Sequence, residues 1–201
     1  MKEQIIRKST EMFLELGFKS VTMDHLSNEI GISKRTLYEY FSNKENLIRQ
    51  VSHKLYEEIS EGIEAIYSSK KNAVEKHFII KDFILEYLKY ENPGSMYQLS
   101  KYYPKIYDRL IIKQYTKMIE CVTESIKTGI KEGLFRNTIN EEIIARLYYS
   151  IMLNFKNVEI FDPKKFNSNV LHETFIEYHI RGICTEKGKL ILDQLLTNDQ
   201  V

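Results

Sequence analysis

One short segment of the chain carries side chains suited to binding a polyanion. Residues 34–40 place cations, hydroxyls and phenols on the outward positions of a short helix: Lys34, Arg35, Thr36, Tyr38, Glu39 and Tyr40. Hydroxyl and phenol groups bond phosphate oxygens, and an arginine can form two parallel hydrogen bonds to guanine. Such a face fits the major groove of DNA, although a solvated surface helix uses the same residue types.

The elements that would position this face are marked by three successive helix-start signals. Thr22 and Ser33 are suited to cap a second and a third helix, and Ser42 with Glu45 has the form of a capping box for a fourth. Gly31 is suited to the positive φ that ends one helix before a tight turn. Two short helices joined by about three residues, the second of them exposed, form a helix-turn-helix.

Apolar spacing predicts one small core beneath these helices. The residues expected to form it are Leu26, Ile30, Ile32, Leu37 and Phe41, covered by Phe13, Leu14 and Phe18 from the first helix.

The segment has a more specific likeness. The run LGFKSVTMDHLSNEIGISKRTLYEYFSNKENL resembles the DNA-binding domain of the TetR family of bacterial repressors. The resemblance implies that Thr22 and Lys44 hold phosphates at the starts of the second and fourth helices. It also implies roles for residues of the third helix and its cap. Ser33, Lys34, Tyr38 and Tyr40 would contact phosphates, and Arg35 and Thr36 would lie nearest the base edges. Leu37 would either belong to the core or touch a thymine methyl group.

Three positions depart from the family pattern. Ser27 replaces the usual alanine where the two helices cross, and its hydroxyl can bond back into its own helix. Tyr40 replaces a common histidine and keeps a hydrogen-bond donor. Glu39 replaces an aromatic residue, and its carboxylate either accepts from a cytosine amine or pairs with Arg35 one turn earlier.

The composition of the 201 residues excludes several classes of protein. The 29 Lys and Arg residues nearly balance the 28 Asp and Glu residues, which argues against a strongly basic nucleic-acid coat protein. The 43% of apolar residues argues against disorder, and no apolar run is long enough to cross a membrane. We therefore expect a cytoplasmic protein whose two cysteines, Cys121 and Cys184, are reduced thiols.

The spacing of apolar residues indicates an all-α chain. Only eight Gly and three Pro interrupt it, and Pro93, Pro104 and Pro163 are expected between helices. The predicted helices lie near 2–16, 23–30, 34–41, 43–67, 73–91, 95–102, 105–131, 141–156, 166–184 and 187–197. Three short helices followed by much longer ones predict a helix-turn-helix domain over 1–47 and a larger helical domain over 48–201.

The larger domain contains no catalytic motif, so an enzyme is disfavoured. The TetR resemblance implies that it binds a small-molecule effector and forms a homodimer. Tyrosines concentrate near its middle, where they either line an aromatic pocket or cover helix ends and loops. The predicted pocket comprises Tyr87, Tyr90, Tyr107, Tyr115 and Met118, and the predicted dimer interface comprises Leu147, Ile151, Phe155, Val170 and Tyr178.

Three histidines need a separate interpretation. His77 lies on an apolar helix face and is expected to be a hydrogen-bonded core residue rather than a ligand or pH sensor. His172 and His179 are two turns apart on one helix, where an exposed or interface surface is favoured over a metal site. We expect no metal and no cofactor.

The sequence thus predicts a DNA-binding transcriptional regulator, a ligand-responsive repressor that binds a palindromic operator as a homodimer. Its expected partners are double-stranded DNA, a second copy of itself and an unknown small-molecule effector, with no membrane. Two alternatives stay open: a TetR-like regulator without an effector, and a helical scaffold or enzyme with a vestigial DNA-binding motif. Residues 1–50 carry eight basic and seven acidic side chains. DNA binding is therefore expected to depend on where Lys34, Arg35 and Lys44 are placed rather than on the net charge of the domain.

Overall fold

The secondary structure is helical throughout the part of the chain that the structure describes. The structure, a computed structural model, describes residues 1–89, 91–92, 94–155, 157 and 159–198. These residues form ten α-helices and no β-strand: α1 (Lys2–Leu16), α2 (Met23–Ile30), α3 (Lys34–Tyr40), α4 (Lys44–Tyr67), α5 (Ala73–Tyr87), α6 (Ser95–Tyr102), α7 (Pro104–Lys131), α8 (Glu141–Asn154), α9 (Ser168–Ile183) and α10 (Glu186–Asn198). The predicted all-α fold is confirmed.

The prolines illustrate how local chemistry sets the helix ends. Pro163 lies in the turn between α8 and α9, as predicted, and Pro93 lies outside the described residues. The prediction for Pro104 was wrong, because this residue begins α7 instead of preceding it. The first position of a helix has no intrahelical partner for its N–H, so proline fits there without losing a hydrogen bond.

Packing divides the chain into two units. Unit 1 comprises Met1–Ser60 and Tyr87–Gln114, and unit 2 comprises Glu61–Glu86 and Tyr115–Val201. The domain division at residue 47, drawn from the helix-turn-helix motif, stays a prediction. Within unit 1, residues 87–114 come from much later in the sequence than the segment they accompany.

The core of unit 1 joins the first four helices to α6 and the start of α7. Its buried side chains are Ile5, Met12, Phe13, Phe18, Val21, Met23, Leu26, Leu37, Phe41, Leu47, Ile48, Val51, Leu99 and Ile106. Each large apolar side chain buried in this way contributes about 1.5–3 kcal/mol to folding before entropy is counted. The core predicted for the helix-turn-helix is confirmed, with Ile30 and Ile32 at its partly buried edge, except that Leu14 is buried without joining this cluster.

Gly17 is the point at which α6 approaches the end of α1. Its φ of 87° lies in the left-handed region that favours glycine, and a Cβ there would overlap the carboxamide of Gln98 on α6. The same carboxamide accepts a hydrogen bond of 2.8 Å from the backbone N–H of Lys19. The loop before α2 is therefore held by α6.

Unit 2 has a core of its own, formed by α5, the second half of α7 and α8–α10. Its buried side chains are Ala73, Val74, Phe78, Val122, Ile126, Leu134, Phe135, Ala145, Tyr148, Phe175, Ile176, Ile180, Ile183, Cys184 and Leu192. Cys184 is a buried free thiol, and burial raises its pKa to about 11. None of the described helices combines the length and apolar character needed to cross a bilayer.

Candidate nucleic-acid interface

Capping side chains fix the two helices of the predicted helix-turn-helix. Thr22 Oγ1 accepts from the backbone N–H of His25 at 3.1 Å, and Ser33 Oγ accepts from that of Thr36 at 3.0 Å. Gly31 adopts φ 75° and ψ 32°, the left-handed conformation predicted for the turn between them. Ser27 is buried and donates to the carbonyl of Asp24 at 2.9 Å, as predicted from its place at the helix crossing.

The third helix buries one apolar side chain and exposes most of its polar side chains. Leu37 is fully buried in unit 1, so the core interpretation holds over contact with a thymine methyl group. Lys34, Arg35, Tyr38 and Tyr40 are exposed. The outward face predicted from helical spacing is therefore present on α3.

Both cations of α3 are paired with carboxylates. Lys34 Nζ lies 2.6 Å from Asp24 Oδ1 on α2, a contact that raises the pKa of Lys34. Arg35 Nε donates to Glu39 Oε1 at 3.2 Å, which confirms the predicted pairing one turn apart. Exposed ion pairs contribute only about 0–1 kcal/mol, so a DNA phosphate can replace either carboxylate.

The hydroxyls of Ser33 and Thr36 lie together at the start of α3. Their oxygens are 2.8 Å apart, while Ser33 also caps the helix. The N-terminus of a helix attracts anions through its free N–H groups and its dipole. The start of α3 therefore offers an anion two hydroxyl groups as well as the attraction of the helix N-terminus.

Lys44 begins α4 close to the loop that precedes α2. Its Nζ donates to the carbonyl of Lys19 at 3.1 Å, and partial burial lowers its pKa. The predicted capping by Ser42 was wrong: Asn43 caps α4, with its Oδ1 accepting from the N–H of Asn46 at 2.8 Å. Asparagine caps as well as serine, and its position one residue later matches the observed helix start.

Two further cations near Lys44 were not identified from the sequence. Lys19 lies in the loop between α1 and α2, and Lys101 lies on α6; their ammonium groups are 4.7 Å and 5.8 Å from the centre of the Tyr102 ring. Sequence spacing could not connect them, because 82 positions separate them and only the packing of α6 on the first helices brings them together.

The residues predicted for an effector pocket are divided between the two units. Tyr87 and Tyr107 belong to unit 1, where Tyr87 donates to Glu58 at 2.5 Å and Tyr107 packs against the core. Tyr115 and Met118 belong to unit 2, where Tyr115 stacks edge-on against Tyr149 and Met118 packs against the core. Tyr90 lies outside the described residues.

The residues predicted for a dimer interface fall into two groups. Leu147, Val170 and Tyr178 expose 54%, 57% and 74% of their surface. Ile151 and Phe155 are partly buried and pack against the core of unit 2. The exposed group lies on α8 and α9.

Unit 2 also buries a pair of histidines among aromatic rings. The predicted role of His77 as a hydrogen-bonded core residue is confirmed, because its Nδ1 lies 2.8 Å from the carbonyl of Ala73. The exposed or interface surface expected for His179 was wrong. This side chain is buried, since α9 turns Phe175, Ile176 and Ile180 to the core and His179 shares their face.

The two imidazoles are neutral. Their ring centres are 6.1 Å apart, and Tyr148 lies 5.0 Å from His179. Burial lowers the pKa of both, that of His179 to about 3, with His77 adding a smaller repulsion. Among the described residues, no three His, Cys, Asp or Glu side chains form a metal-binding group.

The comparisons with known proteins agree with this geometry. Residues 5–51, which include α2, α3 and the start of α4, match the family model for bacterial regulatory proteins of the tetR family. This match covers 47 of the 201 residues and coincides with the helix-turn-helix. The chain is a DNA-binding transcriptional regulator and not an enzyme.

Relatives of known sequence extend the likeness beyond the DNA-binding segment. The uncharacterized HTH-type transcriptional regulator YvaF of Bacillus subtilis is 24% identical over 197 residues, covering 93% of this chain and 97% of that protein. IcaR, the negative regulator of the biofilm operon icaADBC in Staphylococcus epidermidis, is 36% identical over 50 residues, covering 25% of this chain and 27% of IcaR.

Several solved structures share the fold of this chain. A transcriptional regulator from Cytophaga hutchinsonii has a TM-score of 0.70 at 21% identity, covering 91% of this chain and 98% of that one. SmeT, the repressor of a multidrug efflux pump of Stenotrophomonas maltophilia, has a TM-score of 0.70 at 13% identity, with 92% and 91% covered. A protein from Saccharomonospora viridis solved with choline has a TM-score of 0.74 at 15% identity, with 92% and 98% covered.

Proposed function

We propose that this regulator is a ligand-responsive repressor that binds a palindromic operator as a homodimer. The observation that carries the proposal is the exposed apolar surface of α8 and α9, which includes Leu147, Val170 and Tyr178. Large contiguous apolar patches are rare on monomeric proteins, and these exposed side chains lie on two helices that contact each other through Tyr148 and Phe175. Two helices from each subunit can cover this surface by packing as a four-helix bundle.

The symmetry of such a dimer determines the kind of DNA site. A closed two-fold arrangement presents the same face of α3 twice, in opposite directions, so the matching site is a palindrome. The centres of its half-sites would lie about 34 Å apart, which is one turn of B-DNA, or slightly more. In each half-site Arg35 and Thr36 would face base edges. The side chains that would hold phosphates are Thr22, Ser33, Lys34, Tyr38, Tyr40 and Lys44.

The proposed response to a small molecule rests on unit 2 and on two structural relatives. SmeT is named as a repressor, and the protein from Saccharomonospora viridis was solved with choline. Within unit 2, Tyr115 offers a ring and a phenol, and Met118 an apolar side chain, to a ligand of an apolar or aromatic kind.

The proposed coupling runs through α4. This helix begins at Lys44, beside the DNA-binding loop, and ends at Tyr67 in unit 2. A ligand shifts the equilibrium between two forms only if it binds one of them more tightly. We propose that the form preferred by the effector changes the separation of the two α3 helices and so weakens operator binding.

The dimer is tested by light scattering at micromolar concentration, with L147E and V170E as the variants. A charge on each exposed site should shift the protein toward monomer, whereas I112E, an equally exposed position on α7, should leave the mass unchanged. A monomeric wild-type protein, or equal effects of all three substitutions, would contradict the proposed interface.

The ligand response is tested by thermal unfolding across a panel of small molecules, followed by operator release for each compound that stabilises the protein. A ligand present at 100 times its Kd stabilises the folded state by about 2.7 kcal/mol, which a melting curve detects. Operator release by a stabilising compound supports the proposal. No stabilisation across a broad panel would favour a regulator without an effector.

A further inference from the structure

A cluster of cations and phenols lies on unit 1 outside the helix-turn-helix. Lys19 Nζ lies over the ring of Tyr102 at 4.7 Å, and Lys101 Nζ lies 5.8 Å from the same ring and 5.5 Å from that of Tyr97. Lys101 Nζ also donates to the phenol of Tyr97 at 3.3 Å. We call Lys19, Tyr97, Lys101 and Tyr102 the lysine–tyrosine patch.

The lysines of this patch differ from the cations of α3 in their partners. Lys34 and Arg35 each contact a carboxylate. Among the described residues, the contacts of Lys19 and Lys101 are to phenols and aromatic rings, and neither forms an ion pair with Asp or Glu. Two ammonium groups held around one ring, without a carboxylate, form a local excess of positive charge in a chain whose charges otherwise balance.

The aromatic rings hold these ammonium groups at the surface. A cation over a ring face is attracted by its quadrupole, and this attraction restricts a side chain that otherwise moves freely. The hydrogen bond from Lys19 lowers the pKa of Tyr102, and contact with Tyr97 raises that of Lys101. Lys19, Tyr97, Lys101 and Tyr102 are all exposed.

The patch is continuous with the interface already described. Lys44 Nζ donates to the backbone carbonyl of Lys19, and Lys19 lies three residues before the capping Thr22. A carboxylate lies nearby on α4: burial raises the pKa of Tyr103, a neighbour of the patch in sequence, and Glu45 raises it further. The patch therefore extends the surface that contains Lys44 and Thr22 onto α6.

We infer that the lysine–tyrosine patch binds phosphates of the DNA duplex next to the segment contacted by α3. The inference rests on the DNA-binding role of the family, and it adds α6 to the surface that touches DNA. Lys19 and Lys101 supply charge and Tyr102 supplies position and a phenol donor. Such contacts are independent of sequence, so they strengthen binding to all duplexes alike.

The test compares K19Q, K101Q and the double variant with K113Q. Lys113 is the matched control because its ammonium group also lies over a tyrosine ring, that of Tyr56, at 5.6 Å. Tyr56 is 12 residues along α4 from Lys44, which is about 18 Å at 1.5 Å per residue. K19Q keeps the bond from Lys44, because that bond goes to the backbone.

Binding is measured on a fluorescent duplex of random sequence over a range of salt concentrations. Each phosphate contact contributes about 0.9 to the slope of log K against log salt. Because a homodimer carries each substitution twice, we expect the slope to fall by about 1.8 in each single variant and by about 3.6 in the double variant. At 0.1 M salt each lost contact weakens binding on the order of eightfold, so a single variant that loses two contacts binds about 60-fold more weakly. K113Q keeps the wild-type slope.

The outcomes separate this inference from the proposed function. A steep wild-type slope that the double variant and K113Q both retain would overturn the inference while leaving DNA binding intact. A wild-type protein without salt-dependent DNA binding would instead contradict the regulator itself. Y102F should keep the slope and Y102A should lower it, since only the second removes the ring; equal slopes for both would overturn the positioning role of Tyr102.

Discussion

The burial of His179 makes the stability of unit 2 depend on pH. The side chain lies among the rings of His77, Tyr148 and Phe175, at 6.1, 5.0 and 5.7 Å between ring centres. Burial lowers its pKa to about 3, whereas the unfolded chain has the ordinary histidine pKa of about 6.5. At a pH between these two pKa values, His179 is protonated in the unfolded chain but not in the folded protein. Proton binding therefore lowers the free energy of the unfolded chain relative to that of the folded protein.

The sign and the size of the effect follow from this difference. The folded-state pKa is depressed, so the full stability is present above about pH 6.5 and is lost as the pH falls toward 3. For one such histidine, the free energy of unfolding falls by about 2 kcal/mol between pH 7 and pH 5. The pKa of His77 is also lowered by burial, so its contribution has the same sign.

Urea unfolding at pH 7 and pH 5, followed by circular dichroism, measures this loss. H179F keeps a ring of similar size and removes the titration, so we expect its loss between the two pH values to be about 2 kcal/mol smaller than that of the wild type. H53Q is the control, since His53 is exposed on α4 beside Glu57. A loss in H179F as large as in the wild type would refute the assignment of a buried neutral imidazole.

Three substitutions in the helix-turn-helix give further tests. Arg35→Ala should cost about 1–3 kcal/mol on the operator and relax the base preference, and equal losses on operator and random DNA would contradict its role at base edges. Glu39→Gln should free Arg35 from its pair and raise affinity about twofold in a binding titration; a fall on the operator alone would favour contact with a cytosine amine. Gly31→Ala should lower the free energy of unfolding by about 1 kcal/mol in urea, because its φ of 75° strains an L-residue although a Cβ meets no atom within 4 Å; unchanged stability would contradict that strain.

The local part of the DNA-binding segment could be predicted because its signals lie close together in sequence. Thr22, Ser33 and Gly31 each act on residues within one helical turn, so their capping and turn roles depend little on the rest of the chain. The ends of helices were predictable to within a few residues for the same reason. The cap of α4 shows the limit of such predictions. Ser42 and Asn43 are adjacent and both are good capping residues, and the structure uses Asn43.

Long-range packing could not be predicted in this way. His179 sits on a helix whose apolar residues allow more than one choice of buried face, and contacts with α5 and α8 decide that choice. Lys19 and Lys101 meet only because α6 packs on the first helices. Helical periodicity predicts which residues share a face, but not which distant helix covers it.

The packing of α6 against Gly17 determines how the DNA-binding helices could be grafted onto another regulator. Gln98 fills the space beside Gly17, and Leu99 and Ile106 complete the core formed by the first helices. A chimera that joins residues 1–47 to another regulator would expose part of that core to solvent unless the other regulator supplied an equivalent helix. The segment to transfer is therefore discontinuous, because a graft that changes operator specificity should include residues 87–114 together with residues 1–47. Substitutions confined to the outer face of α3 leave this core unchanged.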